Sequence, residues 1–231
     1  MGKNKLARWA ELNTFNNVIQ PVTGSVPGKD HPIKGNWKSN IFRNENPVIL
    51  ELGCGRGEYT IGLAERFPGY NYIGIDIKGA RMWRGARTAI EKNIPNAAFL
   101  RTRIEFISSF FADDEVDEIW LTFPDPQMGK KNSNKRLTCP WFLNTYRKFT
   151  RNNGVINLKT DSPELFNYTR SVVEMNELPV LMKTSDLYSE RDLSDILSIR
   201  THYEEIYIQE GRKIHFFSFR LPKEKLIKEL F

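Results

Sequence analysis

The stretch Val48 to Gly57, V-I-L-E-L-G-C-G-R-G, leaves a chain of this kind few folds to choose from. A short apolar run is cut by glycines at every second position, Gly53, Gly55 and Gly57. Val48, Ile49 and Leu50 have the character of a buried strand. Glu58 to Phe67 continues as a helix pattern, with Ile61, Leu63, Ala64 and Phe67 apolar. The glycines therefore fall at a strand-to-helix turn, where the chain can bend sharply and a ligand can lie against bare backbone. Open α/β sheets bind ligands at such turns. The dinucleotide fingerprint G-x-G-x-x-G would need its third glycine at position 58, which is Glu58. Glu51, two residues before the first glycine, would repel a pyrophosphate and suit a cationic group. A turn without a ligand is the alternative.

The next strand narrows the choice. Asn71 to Ile77 reads N-Y-I-G-I-D-I and carries Asp76 at its end. An acid in that place can accept both ribose hydroxyls of a nucleoside; its other possible role is to cap the following helix. Glu51 and Asp76 together favour an adenosyl-amino-acid ligand. S-adenosylmethionine, with an ammonium, a sulfonium and no phosphate, fits both. The strand, the loop and Glu51 resemble motif I of the class I, Rossmann-like methyltransferases.

With 231 residues, 40% of them hydrophobic and 12% aromatic, the chain can bury a substantial core. Two distant cysteines, Cys54 and Cys139, make no disulfide framework, and the three histidines are too scattered for a metal site. No apolar run is long enough to span a bilayer, so a reducing cytoplasm is the expected compartment. The residues leave monomer and homodimer both open. The net charge of +6 suggests an acidic partner. Residues 1–46 form a basic N-terminal arm, with Lys3, Lys5, Arg8, Lys29, Lys34, Lys38 and Arg43 against three acids, broken by prolines and glycines. A short helix is expected around Leu6 to Phe15. Such an arm can track phosphates or be a loose terminus. Residues 47–231 form the main domain.

Along that domain, residues 79–93 read as a helix, Ala97 to Arg103 as a third strand and Glu118 to Pro124 as a fourth. The fourth closes on F-P-D-P, Phe123 to Pro126. Two prolines forbid helix around Asp125 and hold it rigidly, as an active-site carboxylate would need. Lys130, Lys131, Lys135 and Arg136 follow without an intervening acid. Pro140 to Thr150 is a helix with an aromatic face, and Val155 to Thr160 a fifth strand ending in Asp161. Ser162-Pro163 caps another helix. Residues 179–187 alternate as a strand and 186–201 read as a polar loop. Tyr203 to Gln209 and Ile214 to Leu221 read as an antiparallel pair. The expected fold is α/β and Rossmann-like: a seven-stranded, mostly parallel sheet with a C-terminal antiparallel pair and helices on both faces.

The ordered series E-L-G-C-G-R-G, G-I-D-I, L-T-F-P-D-P, N-K-R-L, K-T-D-S-P and R-T-H-Y-E-E resembles the bacterial single-subunit tRNA (guanine-N7-)-methyltransferase family, over roughly residues 47–221. The resemblance implies methyl transfer from S-adenosylmethionine to a guanine in the variable loop of tRNA. It implies a cofactor site at Glu51, Gly53, Gly55, Gly57 and Asp76, with Arg103 where an acid or amide usually meets the adenine. Asp125 becomes the active-site carboxylate, also facing the cofactor. Asp161, Thr201, His202, Tyr203 and Glu204 would contact the substrate. The family lysine four residues after the aspartate is replaced by Gly129, leaving Lys130 and Lys131 as its stand-ins. The basic arm and the loop Lys130 to Arg136 would grip phosphates. Two other functions accommodate parts of the pattern: methyl transfer to a small molecule or protein, and tRNA binding without catalysis.

Overall fold

The computed structural model describes residues 3–21, 29–191 and 193–229, and the side chains of residues 3–5 and of Lys130 lie outside that description. Gly24, Pro27 and Gly28 of the N-terminal arm also lie outside the described residues. The chain divides into two compact units, Met1–Ala112 and Asp113–Phe231.

The first unit runs α1 (Lys3–Leu12), β1 (Val18–Ile19), a helical turn (Trp37–Phe42), β2 (Val48–Leu52), α2 (Glu58–Arg66), β3 (Asn71–Asp76), α3 (Gly79–Glu91), β4 (Ala97–Arg101) and a turn at Ile104–Ser109. Its strands lie in the order β1-β4-β3-β2, and the registered pairs are parallel. Val48, Leu50, Ile73, Ile75, Phe99 and Leu100 are wholly buried, as the apolar runs of a parallel sheet require. The Phe99 ring fills the space left by three missing side chains: a Cβ at Gly57, Gly74 or Gly85 would come within 2.6, 2.8 or 2.8 Å of it. Small residues and one large ring thus form a single packed layer beneath the glycine turn.

The N-terminal residues are anchored in this unit. α1 lies against α3, with Leu12 buried. Glu11 accepts a hydrogen bond of 2.8 Å from the Trp83 indole, and the Arg8 and Arg87 guanidinium groups lie 4.7 and 5.2 Å from that ring. Trp37 is buried, stacks on Phe111 at 5.4 Å and donates to the Phe110 carbonyl at 2.8 Å.

The second unit runs β5 (Val116–Thr122), a turn at Lys130–Lys135, α4 (Pro140–Tyr146), β6 (Thr150–Thr160), α5 (Pro163–Met175), β7 (Val180–Thr184), a turn at Leu187–Ser189, α6 (His202–Gln209) and β8 (His215–Leu221). Its strands lie in the order β5-β6-β8-β7; β5 and β6 are parallel, and β8 is antiparallel to both neighbours. The Ser162 hydroxyl accepts the Leu165 N–H at 3.2 Å and Pro163 opens α5, as the sequence predicts.

One expected element is wrong. Tyr203–Gln209 is helix, not strand, and the antiparallel partner of β8 is Val180–Thr184. The reason is local. Thr201 and Glu204 form a capping box: the Thr201 hydroxyl accepts the Glu204 N–H at 3.2 Å, and the Glu204 carboxylate accepts the Thr201 N–H at 3.3 Å. Two orphan donors of the first helical turn are satisfied, which a strand would not offer. β1 is a two-residue addition that patterning did not reveal.

Candidate functional site

Of the cofactor residues expected from the sequence, Glu51, Gly53, Gly55, Gly57 and Asp76 gather at the carboxyl ends of β2 and β3, whereas Arg103 follows β4 and Asp125 lies in the other unit. Gly53, Gly55 and Gly57 have φ of +80°, +55° and +71°. The turn is tied to β3, because the Gly53 and Cys54 N–H groups both donate to the Ile75 carbonyl, at 2.8 and 3.0 Å. Nothing stands within 4 Å of where a Gly53 side chain would be. That open backbone can receive a ligand.

Glu51 is 3% exposed, and one carboxylate oxygen accepts both the Thr60 N–H, at 2.8 Å, and the Thr60 hydroxyl. Gly57 caps α2 with no side chain of its own, so Glu51 supplies the missing acceptor from the preceding strand. The positive end of α2 is thereby occupied by a carboxylate. A phosphate would compete for the same donors and meet a like charge, which disfavours a dinucleotide.

Asp76 accepts the Gly55 N–H at 3.0 Å on one oxygen and the Lys78 N–H at 2.8 Å on the other. A carboxylate can accept about four hydrogen bonds, so Asp76 retains capacity for a pair of vicinal hydroxyls. The Cys54 thiol is buried, and its pKa is pushed well up by burial and then by Glu51 and Asp76. It stays protonated, which argues against a covalent role. Arg103 is exposed and pairs with Glu105 at 3.1 Å. These groups suit an adenosine joined to a cationic amino acid.

A second gathering lies in the other unit, at the carboxyl ends of β5 and β6 and on α6. Phe123 leaves β5 with φ of +48°, its N–H bound to the Lys159 carbonyl at 2.8 Å. Asp125 is exposed and accepts the Gln127 N–H at 3.0 Å. The Phe123 ring stands 5.7 Å from that of Tyr207, which stands 6.4 Å from the Tyr203 ring. Asp161 pairs with Arg212 at 2.9 Å, and the Arg212 guanidinium lies 4.8 Å from the Tyr207 ring. Phe123, the aromatic side of α6 and Asp161 are thus brought together.

The residues Thr201 to Glu204 divide. His202 and Tyr203 are exposed, Tyr203 by 45%. Thr201 and Glu204 turn inward. Glu204 and Lys159 are each 0% exposed and pair at 2.7 Å. The Lys159 ammonium also donates to the Leu197 and Ile199 carbonyls, at 3.2 and 2.9 Å, which uses all three of its protons. The Tyr188 hydroxyl donates to Glu204 at 2.6 Å. Burial lowers the Lys159 pKa, and Glu204 opposes that shift.

Gly129, where the family lysine is expected, has φ of +82° and donates its N–H to Glu164 at 3.1 Å. A lysine there would strain the backbone. The Lys130 side chain lies outside the described residues, and Lys131 is exposed. Arg136 departs from the expected phosphate grip: it is buried and turned onto the F-P-D-P loop. Sequence reading missed the positions of Lys159, Arg136 and Arg212. A lysine inside an otherwise buried strand was the one available signal, because it demands a buried partner.

The fold is that of the class I methyltransferases. Solved structures share the architecture. The 16S rRNA methyltransferase KamB matches with a TM-score of 0.60 at 12% identity, over 85% of this chain and 98% of that one. A 16S rRNA (adenine(1408)-N(1))-methyltransferase mutant with cosubstrate SAM from Catenulisporales acidiphilia matches with a TM-score of 0.53 at 14% identity, over 85% and 95%. At such identities the likeness is one of fold.

The sequence relationships are closer. The family described as "Putative methyltransferase" matches residues 45–217. The tRNA (guanine-N(7)-)-methyltransferase of Porphyromonas gingivalis is 53% identical over 91% of this chain and 86% of its own. That of Bacteroides fragilis is 48% identical over 99% and 90%. The chain belongs to the tRNA (guanine-N7-)-methyltransferase family. Among the described residues no cluster of His, Cys, Asp or Glu could hold a metal ion, and no helix is long and apolar enough to cross a membrane.

Proposed function

We propose that this protein transfers a methyl group from S-adenosylmethionine to N7 of a guanine in the variable loop of tRNA. The observation that carries the reading is 48–53% identity, over 91–99% of this chain, to enzymes of that name, with the F-P-D-P loop and its basic neighbour present. Gly53, Gly55, Gly57 and Asp76 hold the cofactor, and Glu51 shapes its loop from below. Bound S-adenosylmethionine supplies a methyl carbon already activated by its sulfonium. The protein's task is therefore alignment and exclusion of water rather than activation. Guanine N7 has a free lone pair, so no base has to remove a proton.

The purine becomes cationic as the new N–C bond forms. A carboxylate near the ring stabilises that charge, and Asp125 is the exposed carboxylate on a rigid loop. Asp161 accepts from the guanine N1–H and exocyclic amine, donors that adenine lacks on that edge, after exchanging its bond to Arg212. The ring rests against the Tyr203–Tyr207 side of α6. Thr201 and Glu204 serve the substrate by fixing α6 from within. Lys131, Lys135 and the basic arm grip phosphates, so tRNA affinity falls steeply with salt. A variable-loop base must be exposed to reach this site.

The test is incubation with unmodified tRNA and methyl-labelled S-adenosylmethionine, followed by nucleoside analysis. Label in 7-methylguanosine is expected. Label in another nucleoside, or salt-dependent tRNA binding with no transfer, would overturn the reading.

A further inference from the structure

Arg136 closes the run of positive charge that begins at Lys130, and composition places it with the phosphate-gripping lysines. Its surroundings are different. Lys131 and Lys135 are exposed, whereas Arg136 is 4% exposed. Its Nε donates to the Pro126 carbonyl at 3.1 Å and shares the Gln127 carbonyl, at 3.3 Å, with its Nη2, at 3.2 Å. The same Nη2 pairs with Glu164, and the guanidinium lies 4.5 Å from the Tyr168 ring. The Glu164 oxygen that meets Arg136 also accepts the Gly129 N–H at 3.1 Å. Residues 126–129 are therefore held from two sides, the Pro126 and Gln127 carbonyls by Arg136 and the Gly129 N–H by Glu164. The Gln127 N–H in turn fixes Asp125 at 3.0 Å. Gln127 has φ of +48°, a conformation that a non-glycine residue keeps only when its surroundings impose it.

We propose that Arg136 is a positioning residue. It clamps the F-P-D-P loop so that the Asp125 carboxylate points in one direction, and it makes no contact with tRNA. The proposal rests on the reading of Asp125 as the active-site carboxylate. A planar guanidinium can serve two carbonyls and a carboxylate from fixed directions, while an ammonium carries the same charge without the fork. Charge alone is therefore insufficient, and Arg136→Lys separates a clamp from a phosphate contact.

The experiment uses the full chain, wild type and Arg136→Lys, with three readouts: steady-state methyl transfer to tRNA, tRNA affinity as a function of salt, and amide hydrogen exchange over residues 125–129. In Arg136→Lys, kcat is expected to fall about tenfold to a hundredfold, the range for a misplaced reacting group. The KM values and the salt slope stay unchanged, and the loop amides exchange faster. A kcat within about twofold of wild type, the result expected if the lysine charge simply preserved a phosphate contact, overturns the proposal. Should Arg136→Lys fail to fold by circular dichroism, Glu164→Gln decides on the same readouts, and unchanged kcat and exchange there overturn it. Asp125→Ala separates the two readings. Full turnover in that variant removes the role of Asp125, whereas an inactive Asp125→Ala beside a fully active Arg136→Lys removes the clamp. If wild type transfers no methyl, the exchange readout alone decides.

Discussion

Gly85 sets helix propensity against tertiary packing, and Gly85→Ala shows which wins. The residue lies inside α3, where alanine is favoured over glycine by roughly 0.5–1 kcal/mol. By that argument the substitution stabilises the protein. The structure reverses the sign. An alanine Cβ would stand 2.7 Å from the Arg56 carbonyl oxygen, 2.8 Å from the Phe99 ring and 3.0 Å from the Gly57 Cα. Two of these are backbone atoms of the glycine turn and cannot swing aside, and Phe99 is wholly buried. Overpacking costs about 1–3 kcal/mol, and contacts this short belong at the upper end, leaving a net loss of about 2 kcal/mol. In a protein of this size that lowers Tm by roughly 4–8 °C. The strain falls on Arg56 and Gly57, so affinity for S-adenosylhomocysteine drops as well, about tenfold if 1.4 kcal/mol of the strain appears in binding. Thermal denaturation by circular dichroism and titration calorimetry measure the two effects. Gly69→Ala, where nothing lies within 4 Å of the new methyl, is the control. A Gly85→Ala protein with an equal or higher Tm would refute the reasoning.

Two further outcomes are expected. Asp125→Ala lowers turnover by about a hundredfold to a thousandfold, the usual loss when a charge-stabilising group is removed; labelled methyl incorporation into tRNA measures it, and wild-type turnover would exclude the carboxylate from the reaction. The second concerns pH. Burial pushes the His215 imidazole below its ordinary pKa, against the upward pull of Ser185, Asp161 and Asp186 and with the downward push of Lys213. The unfolded chain then binds the proton more readily, so stability is full above the unfolded value of about 6.5 and declines as pH falls through it. His215→Phe keeps the stacking on Phe166, 5.0 Å away, and should flatten part of the acid-side decline in Tm; an unchanged slope would show that His215 does not titrate there.

Much of this protein was legible from residue order, because the signals were local. Alternate glycines after an aliphatic run imply a turn, Asp76 follows at the end of the next strand, and Ser162-Pro163 announces a helix. F-P-D-P marks a rigid loop because proline restricts both itself and the residue before it. The helix at His202–Gln209 was also encoded locally, since Thr201-x-x-Glu204 is a capping-box signature. It was obscured by Tyr203, Ile206, Tyr207 and Ile208, whose mixed pattern does not favour helix.

What only tertiary structure decided is the direction in which charged side chains point. Lys131 and Arg136 look equivalent in a basic run, yet one faces solvent and the other the Pro126 and Gln127 carbonyls. Glu204 reads as a polar substrate contact, yet it is buried because Lys159 and Tyr188, distant in sequence, meet it there. Backbone conformation answers to neighbours along the chain, so short motifs determine it. Burial of a charge is tolerable only where a partner and hydrogen bonds are already in place, and those partners are assembled by the fold.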